Sequence, residues 1–305
     1  MSQITVKELN IGMIGLDTSH CGAFTRFFND ANYEHPISGG KVTVAYPGGS
    51  ADMPSSISRV NDYTEEMRVK YGVRIVSAIE AVAEQADAIM LTSLDGRVHP
   101  EQFLRIAQYG KPAYINKPFA LSVRDAETIF ELADKHKIAL LGCSSLRYAD
   151  PLTQALLPDE RGQVIGADAY SPMPLEPNNP GWFYYGVHAV EMLYTAMSKG
   201  CRKVQAFTDG RSELVVGTWE DGRIGTARGN RENNHEYGIT ISRQNGSTFV
   251  NPLAGNRPFY MPLMEELVAM FRTGVTPLDP AETLEIIRFM EAANESRASG
   301  AAIVL

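Results

Sequence analysis

The chain has 305 residues, 44% of them hydrophobic, and a formal net charge of −8. That length predicts two domains or one large one, with apolar content ample for a packed core. The acidic balance without a basic stripe excludes a nucleic-acid reader, and no apolar run approaches the ~20 residues that span a bilayer.

Leu9–Gly15 is an apolar run ending in glycine, followed by Leu16-Asp17-Thr18-Ser19-His20 and a helical pattern with Phe24, Phe27 and Phe28. Strand, tight glycine turn and helix are how a dinucleotide-binding unit begins. Gly15 fills the first glycine position of that pattern, while Asp17 sits at the second and His20 at the third. A side chain at the second position obstructs a pyrophosphate, and an aspartate also repels it, so this segment alone leaves the nucleotide site open. Lys41–Tyr46 is strand-like and runs into the turn Pro47-Gly48-Gly49-Ser50. Arg74–Val76 is a short strand, and Ser77 with Glu80 has capping-box spacing for a helix to about Glu84. Asp87–Thr92 reads as a buried parallel strand. Pro100 opens a helix closed by Gly110, Pro112–Ile115 is the next strand, Ser122 caps a further helix, and Ile138–Cys143 closes the sheet. The alternation predicts a doubly wound parallel sheet, whose ligands bind beyond the carboxyl ends of its strands. Both the glycine turn and Asn116-Lys117-Pro118 fall on that edge.

Beyond Leu146–Pro151 the pattern changes to successive strands: Gln163–Tyr170, Lys203–Thr208, Leu214–Trp219, Arg223–Ala227, Tyr237–Ser242 and Thr248–Val250. Asp209-Gly210, Asp221-Gly222 and Asn245-Gly246 separate the later ones, as in antiparallel hairpins. Helices are expected over Gly186–Ser198, Leu263–Arg272 and Pro280–Arg297. The fold class is therefore α/β, a Rossmann domain over 1–147 followed by an α+β domain with a largely antiparallel sheet over 148–305. The separated cysteines Cys21, Cys143 and Cys201 suit reduced thiols, and Met1–Glu8 lacks the basic and apolar regions of a signal peptide. Both point to the cytoplasm.

Taken together, these segments resemble the Gfo/Idh/MocA family, the glucose-fructose oxidoreductase and inositol dehydrogenase group, over nearly the whole chain. Asn116-Lys117-Pro118 matches the family's Glu-Lys-Pro motif, and Tyr184-Tyr185-Gly186-Val187-His188 its Asp-x-x-x-His motif. Asp279–Leu284 through Ala293–Ser296 resembles the last helix of the family. Four positions depart from its pattern: Asp17, His20, Asn116 and Tyr184. The resemblance implies an NAD or NADP cofactor held by Gly15, Asp17, Thr18, Ser19, His20, Ser50, Thr92, His99, Asn116 and Lys117. It also implies that Lys117 and His188 serve one substrate hydroxyl, with His188 taking the proton directly or through Tyr184. A lysine can stabilise an alkoxide or relay a proton, and an imidazole can take one near neutral pH. Lys117 is otherwise a surface-turn lysine and His188 a core histidine beside Val190 and Leu193.

Asp95 and His99, in the loop after the fourth strand, stand near the family's Asn and His positions, with helix capping as their alternative. Arg147 and Tyr148 follow the sixth strand. Arg147 suits a carboxylate or sugar hydroxyl, or equally a salt bridge. Trp182, Phe183, Tyr184 and Tyr185 form an aromatic run whose faces stack on a sugar ring or on other side chains. The turn after the second strand has no carboxylate for a ribose, while Ser50 and Arg59 suit a 2′-phosphate, so NAD and NADP both stand. His188 and Glu191 are three apart on one helix, yet no compact cluster completes a metal-ligand set. Three functions follow: a dehydrogenase of a sugar, polyol or similar small polar compound; a relative holding cofactor tightly for a net non-redox reaction; or a dinucleotide sensor. A homo-oligomer, most simply a two-fold dimer, is expected.

Overall fold

The computed structural model describes residues 7–305; the N-terminal reading of Met1–Glu8 lies mostly outside them. The chain divides into two compact units. The first takes the chain up to Phe119 with Glu127–Gly142 and Leu263–Pro277, and the second takes Ala120–Ala126, Cys143–Pro262 and Leu278–Leu305.

The first unit alternates strand and helix: β1 (Leu9–Ile14), α1 (Ser19–Asn29), β2 (Gly40–Tyr46), α2 (Pro54–Ile57), α3 (Val60–Val69), β3 (Arg74–Ile75), α4 (Ile79–Gln85), β4 (Ala88–Leu91), α5 (His99–Ala107), β5 (Ala113–Ile115), α6 (Val123–His136) and β6 (Leu140–Gly142). The six strands pair in the order β3-β2-β1-β4-β5-β6, every pair parallel. This is the doubly wound sheet that the alternation predicts. Its central strands are apolar on both faces, with Ile11, Met13, Val44, Ile89, Met90 and Ile115 fully or almost fully buried. Gly12 lets α4 come close, since a Cβ there would lie 2.4 Å from Val82 Cγ1 and 2.9 Å from Ala86 Cβ. The expected capping box at Ser77 is not formed. α4 starts two residues later, after Ala78, with no side-chain cap. The reason is that the Glu80 carboxylate is taken by Arg105, at 2.7 and 2.8 Å. Ser122 does cap α6, its hydroxyl accepting from Asp125 N–H at 3.1 Å.

The second unit contains α7 (Asp150–Ala155), β7 (Val164–Pro172), α8 (Val187–Met197), β8 (Cys201–Thr208), β9 (Ser212–Trp219), β10 (Ile224–Asn230), β11 (Gly238–Arg243) and β12 (Gly246–Val250). α9 (Met261–Thr273) belongs to the first unit from Leu263 onward, and α10 (Pro280–Ser299) and β13 (Ile303–Val304) complete the second. Its strands pair in the order β12-β11-β7-β10-β9-β8-β13. All pairs are antiparallel except β7 with β10. α8 packs on β7 and β10, and α10 on β8. Buried and half-buried residues alternate along β9, as one covered face requires. α7 and β13 have no counterpart in the sequence reading; six and two residues are too short for periodicity to register.

Candidate functional site

At the carboxyl edge of the parallel sheet, β1 ends in Gly15 with φ +94°. A Cβ there would lie 2.4 Å from both Ser93 N and Ser93 Oγ, so only glycine fits this turn. The Thr92 hydroxyl donates to Gly15 O at 2.7 Å and fixes the turn against β4. Thr18 is the N-cap of α1, and Ser19, its first helical residue, is exposed. Asp17 is buried, with Oδ2 accepting from Ser56 Oγ at 2.6 Å and Oδ1 from Leu94 N–H at 2.9 Å. Its carboxylate thus ties the turn to two neighbouring loops, and burial raises its pKa. Ser50 is part of the same knot: its N–H donates to Ser56 Oγ at 2.9 Å, and its hydroxyl bonds Asp95. Asp17, Tyr46, Gly48, Ser50, Ser93 and Arg105 are among the residues that line a cavity of about 160 Å³ in this unit.

Asp95 has no exposed surface, and its carboxylate accepts from the Arg97 N–H and guanidinium, so it acts as the cap of the turn Gly96–Val98. His99 is equally buried, with Nδ1 3.1 Å from Phe119 O and Nε2 3.0 Å from Ser93 O. Both therefore hold the loops around the edge together.

Asn116 and Lys117 lie directly after β5 and are both buried. His20 Nδ1 is 3.0 Å from Asn116 Oδ1, and the Tyr114 hydroxyl donates to the same oxygen at 3.4 Å. An amide oxygen only accepts, so the ring gives its hydrogen from Nδ1. Burial, reinforced by the charge of Lys117, lowers the His20 pKa to about 3, which keeps the imidazole neutral. The ring stacks on Phe24 at a centroid distance of 5.0 Å. With Oδ1 so engaged, Asn116 Nδ2 is a buried amide donor without a partner among the described residues. An orphaned buried donor is costly, at about 1–3 kcal/mol, and suits a place where a ligand acceptor arrives. Burial lowers the Lys117 pKa to about 8. The edge thus supplies a glycine turn at a helix N-terminus, an amide donor and a lysine, which fits the pyrophosphate and nicotinamide ends of a dinucleotide.

In the second unit, His188 is the second residue of α8 and is buried. Its Nδ1 is 2.7 Å from Ser144 Oγ, and its ring meets Tyr185 and Tyr237 edge-on, at centroid distances of 5.8 and 5.4 Å. Tyr184 and Tyr185 are themselves in T-shaped contact at 4.8 Å. Tyr184, Tyr185 and Tyr237, with Pro172, Asn230 and Arg231, are among the residues that wall a cavity of about 290 Å³. Tyr148 is half-buried. Arg147 is buried in an ion-pair network, with Nε 2.9 Å from Glu191 Oε2 and Nη1 2.7 Å from Glu282 Oε1. Trp182 has no exposed surface and donates from its indole to Glu213 Oε1 at 2.5 Å. Neither Arg147 nor Trp182 therefore presents its polar group to solvent. The sequence reading missed Ser144, Glu191 as an ion-pair partner, and Glu282. Only the serine that ends the apolar run Ile138–Cys143 hinted at a cap.

Residues 9–142 match the model of the oxidoreductase family with an NAD-binding Rossmann fold, GFO_IDH_MocA. No curated protein sequence matches the chain. Among solved structures, myo-inositol 2-dehydrogenase from Lactobacillus plantarum is similar at TM-score 0.81 and 14% identity, over 98% of this chain and 100% of that one. The Lactobacillus casei myo-inositol dehydrogenase, solved with NAD(H) and myo-inositol, is similar at TM-score 0.76 and 13% identity, over 98% and 97%. An oxidoreductase from Agrobacterium radiobacter, solved with NAD+, L-tartaric acid and magnesium, is similar at TM-score 0.75 and 15% identity, over 98% of each. At these identities the likeness is one of fold. Among the described residues no helix is long and apolar enough to cross a membrane.

Proposed function

We propose that this chain, whose residues 9–142 match the Gfo/Idh/MocA oxidoreductase model, is an NAD-dependent dehydrogenase of that family acting on a secondary alcohol of a sugar, polyol or related small polar compound. The observation that carries this reading is the edge after β5. There a buried lysine stands beside a buried amide whose donor has no partner. When bound, the nicotinamide supplies the hydride acceptor. Gly15, Thr18 and Ser19 receive the pyrophosphate, Asn116 Nδ2 gives its hydrogen to the nicotinamide end, and Lys117 steadies the reacting oxygen. Thr92, Ser50, Asp17, His20 and His99 shape this edge by holding its loops. His188 handles the proton of the hydroxyl, with Tyr184 beside it, and Tyr148 and Tyr185 contribute to the seat of the substrate. The inositol dehydrogenase likeness supports a polyol-sized compound.

Asn116 in place of a glutamate and Tyr184 in place of an aspartate favour a second reading, in which bound NAD serves a net non-redox reaction. The absorbance spectrum of the purified protein separates the two, since copurified cofactor supports the second and turnover of added NAD+ the first. Calorimetry with NAD+, NADH, NADP+ and NADPH tests the common premise, and no binding of any at millimolar concentration refutes both readings. A screen of sugars and polyols, followed by absorbance of reduced nicotinamide, then finds the substrate. The three cysteines are buried and form no disulfide among the described residues, which suits the cytoplasm we propose for the protein. We also propose a two-fold dimer through the second sheet, on which Ile224 and Phe249 are exposed and Val216 is half-buried.

A further inference from the structure

A neutral imidazole carries one N–H, and the nitrogen that bears it decides whether the other gives or takes a hydrogen. We infer that Ser144 is a positioning residue that holds neutral His188 with its hydrogen on Nε2. Ser144 Oγ accepts from Leu146 N–H at 3.2 Å, as the cap of the turn Ser145–Tyr148, and lies 2.7 Å from His188 Nδ1. A serine hydroxyl has a single hydrogen to give. The Leu146 amide can only donate to the hydroxyl, so among the described contacts Nδ1 is the group that can take that hydrogen.

The pair has little freedom. Ser144 has no exposed surface and His188 is 7% exposed. Ser144 N–H donates to Glu191 Oε1 at 3.2 Å, and Glu191 stands one turn beyond His188 on α8. One helix therefore holds both the ring and the backbone of the serine that addresses it. Arg147 fixes Glu191 in turn, at 2.9 Å. Tyr185 and Tyr237 limit rotation of the ring. Neutral His188 then meets an oxygen as an N–H donor from Nε2. It takes up a proton there only after the Ser144 hydroxyl turns away and Nδ1 gains the hydrogen. This consequence rests on the reading of His188 as the group at the reacting hydroxyl; the tautomer itself does not.

Long-range proton–nitrogen NMR of the full chain, labelled with ¹⁵N-histidine, reads the tautomer. The His188 signals are identified among those of the six histidines by their loss in His188→Asn. In its neutral form, wild-type His188 is expected to be protonated at Nε2, with Nδ1 a hydrogen-bonded acceptor. In Ser144→Ala the Nδ1 resonance moves to that of an unbonded nitrogen, and in Ser144→Thr, which keeps the hydroxyl, it stays. A wild-type ring protonated at Nδ1 overturns the inference, as does a Ser144→Ala spectrum identical to wild type. With a substrate in hand, Ser144→Ala lowers kcat of carbonyl reduction, in which Nε2–H is the donor, about fivefold, the order expected for one hydrogen bond, and Ser144→Thr stays within roughly twofold. An unchanged kcat beside the expected shift of the Nδ1 resonance refutes the catalytic reading of His188 and leaves the assignment to Ser144 standing.

Discussion

Arg147→Met separates the two roles that the sequence leaves open for this residue. The guanidinium is 7% exposed and lies within 2.9 Å of Glu191 and 2.7 Å of Glu282. Methionine preserves much of the volume and removes the charge, leaving both carboxylates without their cation. Removing one partner of a buried pair costs about 3–5 kcal/mol, a large part of the ~5–15 kcal/mol that holds a domain together. With a urea m-value on the order of 2–3 kcal/mol/M, the unfolding midpoint should fall by roughly 1–2 M. Both tryptophans, Trp182 and Trp219, lie in the second unit, so their fluorescence follows the part of the chain that contains Arg147. The defect should depend on pH. Burial already raises the Glu191 pKa, and the arginine opposes that rise. Without it the folded pKa climbs further above the unfolded value of ~4.3, so the ionised group costs stability as pH rises past that value. The deficit should be small near pH 4, grow toward pH 8, and shrink when Glu191→Gln is added. A midpoint that moves by less than roughly 0.3 M, combined with a higher KM for substrate, would refute the structural role and give Arg147 to the ligand.

Three further predictions concern the edge of the parallel sheet and the assembly. Gly15→Ala should abolish dinucleotide binding in calorimetry, because its Cβ would fall 2.4 Å from Ser93 and the φ of +94° suits only glycine; binding within about threefold of wild type would contradict this. Lys117 should titrate near pH 8 rather than 10.5, charged below that value and neutral above it, because burial disfavours the ammonium. NMR of reductively ¹³C-methylated protein checks it, with the signal identified by its loss in Lys117→Met, and a titration above pH 10 is the opposing result. Light scattering at micromolar concentration should give twice the chain mass of 33.5 kDa, with Phe249→Glu weakening the association.

The order of the strands in the first unit was legible because each carries its own local signal, whereas α2 and α3 have no counterpart in the sequence reading. Apolar runs mark β1, β4 and β5, with Gly15 ending the first and Pro112 opening the last, and Pro100 marks the start of α5. Lys117 at a strand's carboxyl end follows from the same reading, as does the glycine turn at Gly15. The partners of the site residues were not legible. Asp17 at the second glycine position looks like an obstacle to phosphate, yet its carboxylate is spent on Ser56, 39 residues on, and on Leu94, 77 residues on. Ser144 and His188 are 44 residues apart, and no spacing rule links the end of a parallel strand to the first turn of a later helix. In the aromatic run, Trp182 is fully buried while Tyr185 is half-buried, a division made by which segments pack against each ring. The parallel pairing of β7 with β10 inside an otherwise antiparallel sheet likewise depends on where the chain returns. Periodicity and turn chemistry act over a few residues and so are written locally. Hydrogen-bond partners and burial depend on which distant segments meet, and that is set by the folded chain.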